Sequence, residues 1–300
     1  MNSDMPQCTT TYRDNVFDSS RWEGFAARKD DIIISTPHKC GTTWTQVICG
    51  LLIFGHSDFG HIDLVSPVPE LISISYKEML AKLNDQKHRR FIKTHTPLDG
   101  LPFYPYCTYL SVYRDPRDVY FSLRSHFSNT KKTKYNFTHL LNNDVSKGFR
   151  NWAQSKYVHG ESDPLSLDFL VHHYNTFKLY EKLPNIHLFH YADMKRDIAA
   201  SMRKIAAILK INMPEQKIFD LAEAASFNNM KQNADCFTIY AGTGHWKDDS
   251  RFFNKGVNGQ WQGVLTDEDL RIYDRSLQAL LPSKDIKWLH NGAGYNRSIQ

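Results

Sequence analysis

Lys39, Gly41, Thr42 and Thr43 stand together inside Ile32–Trp44, IIISTPHKCGTTW, and that combination suits a phosphate. A β-branched run, a tight turn and then a helix would leave backbone N–H groups pointing outward at the helix start, where the helix dipole adds positive potential. Lys39 adds a full charge, Gly41 lets the backbone approach closely, and Thr42 and Thr43 carry hydroxyls. The other reading is an ordinary strand–helix turn with Thr42 as a cap. A second constellation is Lys93-Thr94-His95. A histidine there can take a proton near neutral pH, and a lysine beside it can offset developing negative charge. A lone histidine among 14 is otherwise structural or merely exposed. The third is Ser111–Phe127, SVYRDPRDVYFSLRSHF, with Arg114 and, eight residues on, Ser122. Arginine matches a phosphate with two parallel donors. Arg117 with Asp118 reads as a surface ion pair, and Ser122 reads equally as a small packing residue.

These side chains need elements that bring them together. Asp31–Thr36, Arg90–His95, Tyr106–Tyr113 and Asn185–His190 are short apolar runs of the buried, parallel-strand kind. Helical spacing is expected in Thr42–Phe54, around Ser75–Leu83, in Asp115–His126, in Leu167–Leu183, from Ile198 to Leu209, from Pro214 to about Phe227, and last in Thr266–Leu281. Ser128–Gln154 is polar and without a clean period, and reads as a mobile excursion over one face. Strands alternating with helices predict an α/β fold, a mostly parallel sheet flanked by helices. All three constellations then lie at the carboxyl ends of strands, where open α/β sheets place ligands. No repeat or linker divides the chain, so residues 1–300 are expected to form a single domain with a core over about 22–290.

Composition narrows the function. With 37 Lys+Arg against 32 Asp+Glu, the net charge of +5 is too mild to imply nucleic acid, and fits an anionic small ligand. No apolar run approaches the roughly 20 residues that span a bilayer. The start, Met1–Arg13, lacks a signal-peptide pattern. Five scattered cysteines without a CxxC pair argue against a disulfide scaffold or a zinc site, and fit a reducing cytoplasm. No metal is expected, since His172 and His173 are adjacent and chelate poorly from a helix.

Taken in order, the motifs resemble the cytosolic sulfotransferase family, which uses 3′-phosphoadenylyl sulfate (PAPS) as donor. The family's TYPKSGTTW is similar to Thr36–Trp44, its KTHxP to Lys93–Pro97, and its YxxRxxxDxxxS to Leu110–Ser122. YEDM corresponds to Tyr191–Met194, SFxxMK to Ser226–Lys231, and RKGxxGDW to Asn254–Trp261. The resemblance implies that Lys39, Cys40, Gly41, Thr42 and Thr43 hold the 5′-phosphosulfate. It further implies that Trp44 and Phe227 enclose the adenine, with Ser226 and Met230 in the same motif. Arg114, Ser122, Asn254, Lys255 and Gly256 would surround the 3′-phosphate, and Tyr191 would contact the nucleoside. His95 resembles the general base, with Lys39 and Lys93 at the transferring group, and adenosine 3′,5′-bisphosphate (PAP) would be the product. The chain departs from the pattern at several positions. Cys40 replaces a serine, His38 occupies the usual proline position, and Ala225 replaces a threonine. Asn254 stands where an arginine is usual and Gln260 where an aspartate is. The family's dimer motif is not recognisable in Gln262–Leu270, so no oligomeric state is carried over.

The acceptor implied is a small molecule (a phenol, alcohol, amine or glycan) held near Lys93, Thr94 and His95, with Phe127, Tyr104 and Phe253 either lining its pocket or packing in the core. Two rivals make different demands. A P-loop nucleotide kinase requires GxxxxGK[ST] and a metal-holding carboxylate, and neither is clear. A catalytically silent nucleotide-binding homologue would have lost His95 or Lys39, and both are present.

Overall fold

The computed structural model describes residues 5–131, 142–158 and 165–293. Four parallel strands form one sheet in the order β2-β1-β3-β4, with β1 Ile32–Ser35, β2 Phe91–Thr94, β3 Thr108–Tyr113 and β4 Ile186–His190. Each lies inside the run expected to form it. Ile32 pairs with both Phe91 and Thr108, and Tyr109 pairs with Ile186. Helices cover both faces, so β1 and β2 are buried along their whole length, as a parallel sheet requires.

Side chains alternate between two cores. Ile33, Ile92 and Tyr109 face a cluster with Trp22, Tyr120, Trp152 and Tyr273, while Ile32, Ile34 and Phe91 face one with Ile48, Leu51 and Ile205. The helix Thr42–Phe54 follows β1 directly. Pro116–Ser128 follows β3, with Asp115 accepting from the Arg117 amide and the proline in the first turn.

Several expectations are corrected. Ser128–Gln154 is not an excursion throughout: Val145–Gln154 is a helix, and residues 132–141 of that stretch lie outside the described residues. Its Phe149 and Trp152 are buried, and Arg150 and Ser146 both bond Asp269 of the helix Asp267–Gln278. The apolar stripe is narrow, and the facing helix settles it. The helix after Pro214 ends at Ala224; Ser226 then caps a new helix, Phe227–Gln232, by accepting from the Asn229 amide. Thr266–Leu281 is not the last helix, since Ser283–Asn291 follows Pro282 and packs Trp288 against Tyr113 and Tyr174.

Candidate active site

The three constellations converge on one cleft of about 980 Å³ at the carboxyl ends of the strands. Its floor is the turn after β1. Cys40 N donates to Pro37 O at 3.4 Å, and Lys39, the third residue of that turn, has φ 63°. A side chain held in the left-handed region is unusual and costs energy, and such residues gather at functional sites. Gly41 has φ 114°, and a Cβ there would stand 3.1 Å from the Tyr191 ring. Gly41 offers no side-chain cap, so the first amides of Thr42–Phe54 remain open for an anion. Thr42 is not the cap, which is Gly41: its hydroxyl bonds that of Thr36, and it lines the cleft with Thr43 and Trp44. Cys40, expected to hold the phosphosulfate, does not line the cleft, and its N–H is used within the turn. Its thiol is buried in the core beneath the turn, where burial pushes its pKa up to about 12.

Lys39 Nζ lies 3.0 Å from His126 Nδ1 and 4.8 Å from the centre of the Phe252 ring. Burial, then the Lys93 and Arg114 charges, lower its pKa to about 7. Lys93 is buried on β2 and lines the same cleft, its pKa lowered by burial. Next to it, His95 Nδ1 lies 2.8 Å from Thr36 O. A carbonyl only accepts, so Nδ1 carries the proton and Nε2 keeps a free lone pair. Burial foremost, and then His38 and Lys93, hold the His95 pKa well below the ordinary imidazole range.

Arg114 directly follows β3. Its Nη2 donates to Val257 O at 2.7 Å, its guanidinium lies 4.4 Å over Tyr191, and its buried Nε has no protein acceptor. A buried donor left open beside Ser122, Lys255 and Gly256 fits an anionic oxygen. The segment carrying Lys255 and Gly256 is fixed from below. Asp118 accepts from the Gly259 and Gln260 amides at 2.9 and 2.8 Å, so it is a buried loop anchor and forms no surface pair. Arg117 pairs instead with Asp115 and lies 3.9 Å over Trp261. At Gly256, φ is 62° and a Cβ would meet Phe227 at 2.3 Å, so the ring and this backbone share one slot only with glycine. Trp44 Nε1 donates to Ala225 O at 2.9 Å, which ties this aromatic to the break between two helices. Trp44, Phe227, Met230, Tyr191 and Asn254 all line the cleft.

With Cys40, four expected residues fall outside the cleft lining. Tyr104 precedes β3, at the opposite end of the sheet, and donates its hydroxyl to Phe25 O at 3.1 Å. Thr94 is buried with its hydroxyl on Glu70, and Ser226 spends its hydroxyl on the helix cap. Phe127 and Phe253 do line the cleft. Other lining residues were not anticipated: Asn15, Val16 and Phe17 of the N-terminal arm, Leu71, His126 and Lys195. Lys195 had a signal, since it directly follows the YADM motif. Glu70 had none. This buried carboxylate accepts from Trp22 Nε1 and Thr96 Oγ1, both at 2.8 Å, and from Thr94, and so braces the strand end on both sides of His95. Among the described residues no cluster of His, Cys, Asp or Glu could hold a metal ion.

A parallel sheet with a turn of open amides, a strand-end histidine and an aromatic slot fits a nucleotide-dependent group-transfer protein. The sulfotransferase domain matches residues 29–289. A glycolipid sulfotransferase of Mycobacterium bovis is 33% identical over 99% of both chains. The rabbit (Oryctolagus cuniculus) amine sulfotransferase is 28% identical over 93% of this chain and 90% of its own. The crystal structure of mouse sulfotransferase SULT7A1 complexed with PAP superposes with a TM-score of 0.69, at 21% identity, covering 93% of this chain and 92% of that one. The chain belongs to the PAPS-dependent sulfotransferase family and is an enzyme of that class. The kinase and the silent-homologue readings are not favoured.

Proposed function

We propose that the chain moves a sulfuryl group from PAPS to a hydroxyl of an amphiphilic acceptor, with His95 as general base. The observation that carries this reading is the position of His95. It lies at the meeting point of the phosphate-accepting floor and an apolar wall that includes Val16, Phe17, Leu71, Phe127 and Phe252. A polar reacting end and an apolar body are both accommodated, and the glycolipid sulfotransferase among the relatives agrees with such an acceptor.

The donor, when bound, supplies a sulfuryl group on a good leaving phosphate. This chain's residues then have distinct tasks. Open amides of the turn and Thr43 hold the 5′ end, while Arg114, Ser122, Lys255 and the Gly256 backbone hold the 3′-phosphate. Trp44 and Phe227 confine the base between them. Lys39 and Lys93 offset charge on the oxygens around sulfur, an in-line loose transfer being helped mainly by position and charge. His95 Nε2 takes the acceptor proton as the new S–O bond forms. We read the free cysteines among the described residues as fitting a reducing, cytoplasmic setting. Among those residues no helix is long and apolar enough to cross a membrane.

The test is incubation with sulfur-labelled PAPS and a panel of glycolipids, simple alcohols, phenols and amines, with PAP release followed in parallel. Label is expected on glycolipids or long-chain alcohols above the small phenols and amines. Label confined to amines would overturn the hydroxyl acceptor, and PAP release without labelled product would overturn transfer.

A further inference from the structure

The imidazoles of His38 and His95 are stacked, with ring centres 3.7 Å apart and planes 24° from parallel. They come from different elements: His38 from the turn after β1, and His95 from the end of β2. Phe17 of the N-terminal arm closes on both rings, at 6.1 Å from each. His38 Nε2 is buried without a protein partner. A phenyl ring or a proline at position 38 would avoid leaving that atom unpaired, so a buried imidazole there calls for a reason.

Resting on the reading of His95 as base, we propose that His38 is its positioning residue. Stacking fixes the plane of the base, and two imidazoles held face to face accept at most one proton between them. His95 has one in-plane anchor, the bond from Nδ1 to Thr36 O, which leaves rotation about that bond to be restrained. The His38 ring on one face supplies that restraint. A proton on either ring raises the cost of a proton on the other, by like-charge repulsion at short range in a site shielded from water. Of the remaining groups facing the pair, Lys39, Lys93, His126 and His173 act in the same sense; the Thr36 carbonyl acts against it, and the carboxyl groups of Asp14 and Glu70 also line the small cavity beside both rings. Lys39 belongs to the turn and Lys93 to β2; His126 comes from the helix Pro116–Ser128, and His173 from Leu167–Lys178. Lys93 disfavours an imidazolium on either ring and Lys39 one on His38, so the base stays free of protons in mildly acidic solution.

The two parts of the role separate by substitution. His38→Ala removes both the stack and the repulsion; His38→Phe keeps a ring and removes only the repulsion. Turnover is measured from pH 5 to pH 9 on a labelled acceptor from the panel, with PAP affinity and thermal unfolding measured on the same preparations and His95→Ala alongside. For His38→Ala, kcat at pH 8 is expected to fall about tenfold, with acceptor KM and PAP affinity within about twofold of the parent. His38→Phe should recover most of that loss and move the acidic limb of kcat upward by about half a pH unit or more. Parental kcat and an unmoved acidic limb in both variants would overturn the proposal. A loss of PAP affinity that tracks the loss of kcat would overturn it too, because His38 would then be shaping the phosphate turn. If His95→Ala keeps its turnover, the assignment of the base fails and this role fails with it. Loss of turnover in His95→Ala with parental behaviour in both His38 variants removes the role of His38 alone.

Discussion

The two halves of the cleft are built in different ways. The half proposed for the donor hangs on strand ends and one helix start: the turn after β1, Arg114 directly after β3, and Tyr191 directly after β4. The groups it presents are backbone amides and cations whose anchors are buried, such as Asp118 beneath the Lys255–Gln260 segment. The half proposed for the acceptor is a wall of side chains from stretches far apart in the chain, including Val16, Leu71, Phe127, Tyr240 and Trp246. Phosphate recognition needs donors fixed in direction, which a sheet edge supplies. Apolar recognition needs area and shape, which loops supply and vary at small energetic cost. Substitutions in the donor half should therefore change affinity or rate sharply, and those in the acceptor half should change which molecule is accepted.

The sharpest break is at the junction. His95→Ala should lower turnover by about 10²–10⁴-fold, and His95→Asn should be similarly impaired because it cannot take a proton. PAP affinity, read by calorimetry, should stay within about twofold. Near-parental turnover in a folded His95→Ala would remove the base.

Within the donor half, Arg114→Ala should cost about 1.5–3 kcal/mol of PAP binding, the range for a bond to a charged group. The preference for PAP over AMP should shrink with it. Equal affinity for PAP and AMP in the parent protein would remove the 3′-phosphate clamp altogether.

Proton linkage distinguishes the halves without mutation. Burial and the neighbouring Lys93 and Arg114 hold the Lys39 pKa at about 7. Ligand phosphates raise it, so binding takes up a proton at and above pH 7. On this account PAP affinity is steady below pH 7 and falls by at most about tenfold per pH unit above it, until the pKa of the bound state is passed. Calorimetry in buffers of different ionisation enthalpy reads the uptake directly. Affinity independent of pH between 7 and 9, or proton release, would contradict it.

On the other side, Phe127→Ala should raise acceptor KM several-fold for an apolar acceptor, from the lost burial of a large ring, with PAP affinity untouched. A matching drop in PAP affinity would show that the halves are not separable. The smallest effect belongs to Asn254→Arg, which should tighten PAP by a few-fold at low salt. Arg251 is exposed and does not line the cleft, whereas Lys195 does, and Lys195 already brings one cation toward Arg114. Unchanged affinity in Asn254→Arg with a clear loss in Lys195→Ala would assign that place to Lys195.

What the residues determined by themselves was local. β-branched runs bounded by Pro37, Pro97 and Gly100 mark the strands, and a glycine before Thr42 marks the start of the helix proposed to meet an anion. Lys39, His95 and Arg114 each follow from being next to a strand end, because a parallel sheet sends all its carboxyl ends to one side. The same rule, applied to the start of β3, would have excluded Tyr104. The tertiary structure decided whatever depends on a partner far away in the chain. Val145–Gln154 becomes helical against Asp269, 119 residues beyond Arg150. Glu70 becomes a brace only when Trp22, Thr94 and Thr96 converge on it. The hydroxyls of Thr94 and Ser226 sit in motifs yet are consumed by neighbours, and the acceptor wall has no spacing of its own. Periodicity and turn chemistry act over a few residues, whereas packing joins side chains without regard to their separation. The floor of this cleft is of the first kind, and its wall is of the second.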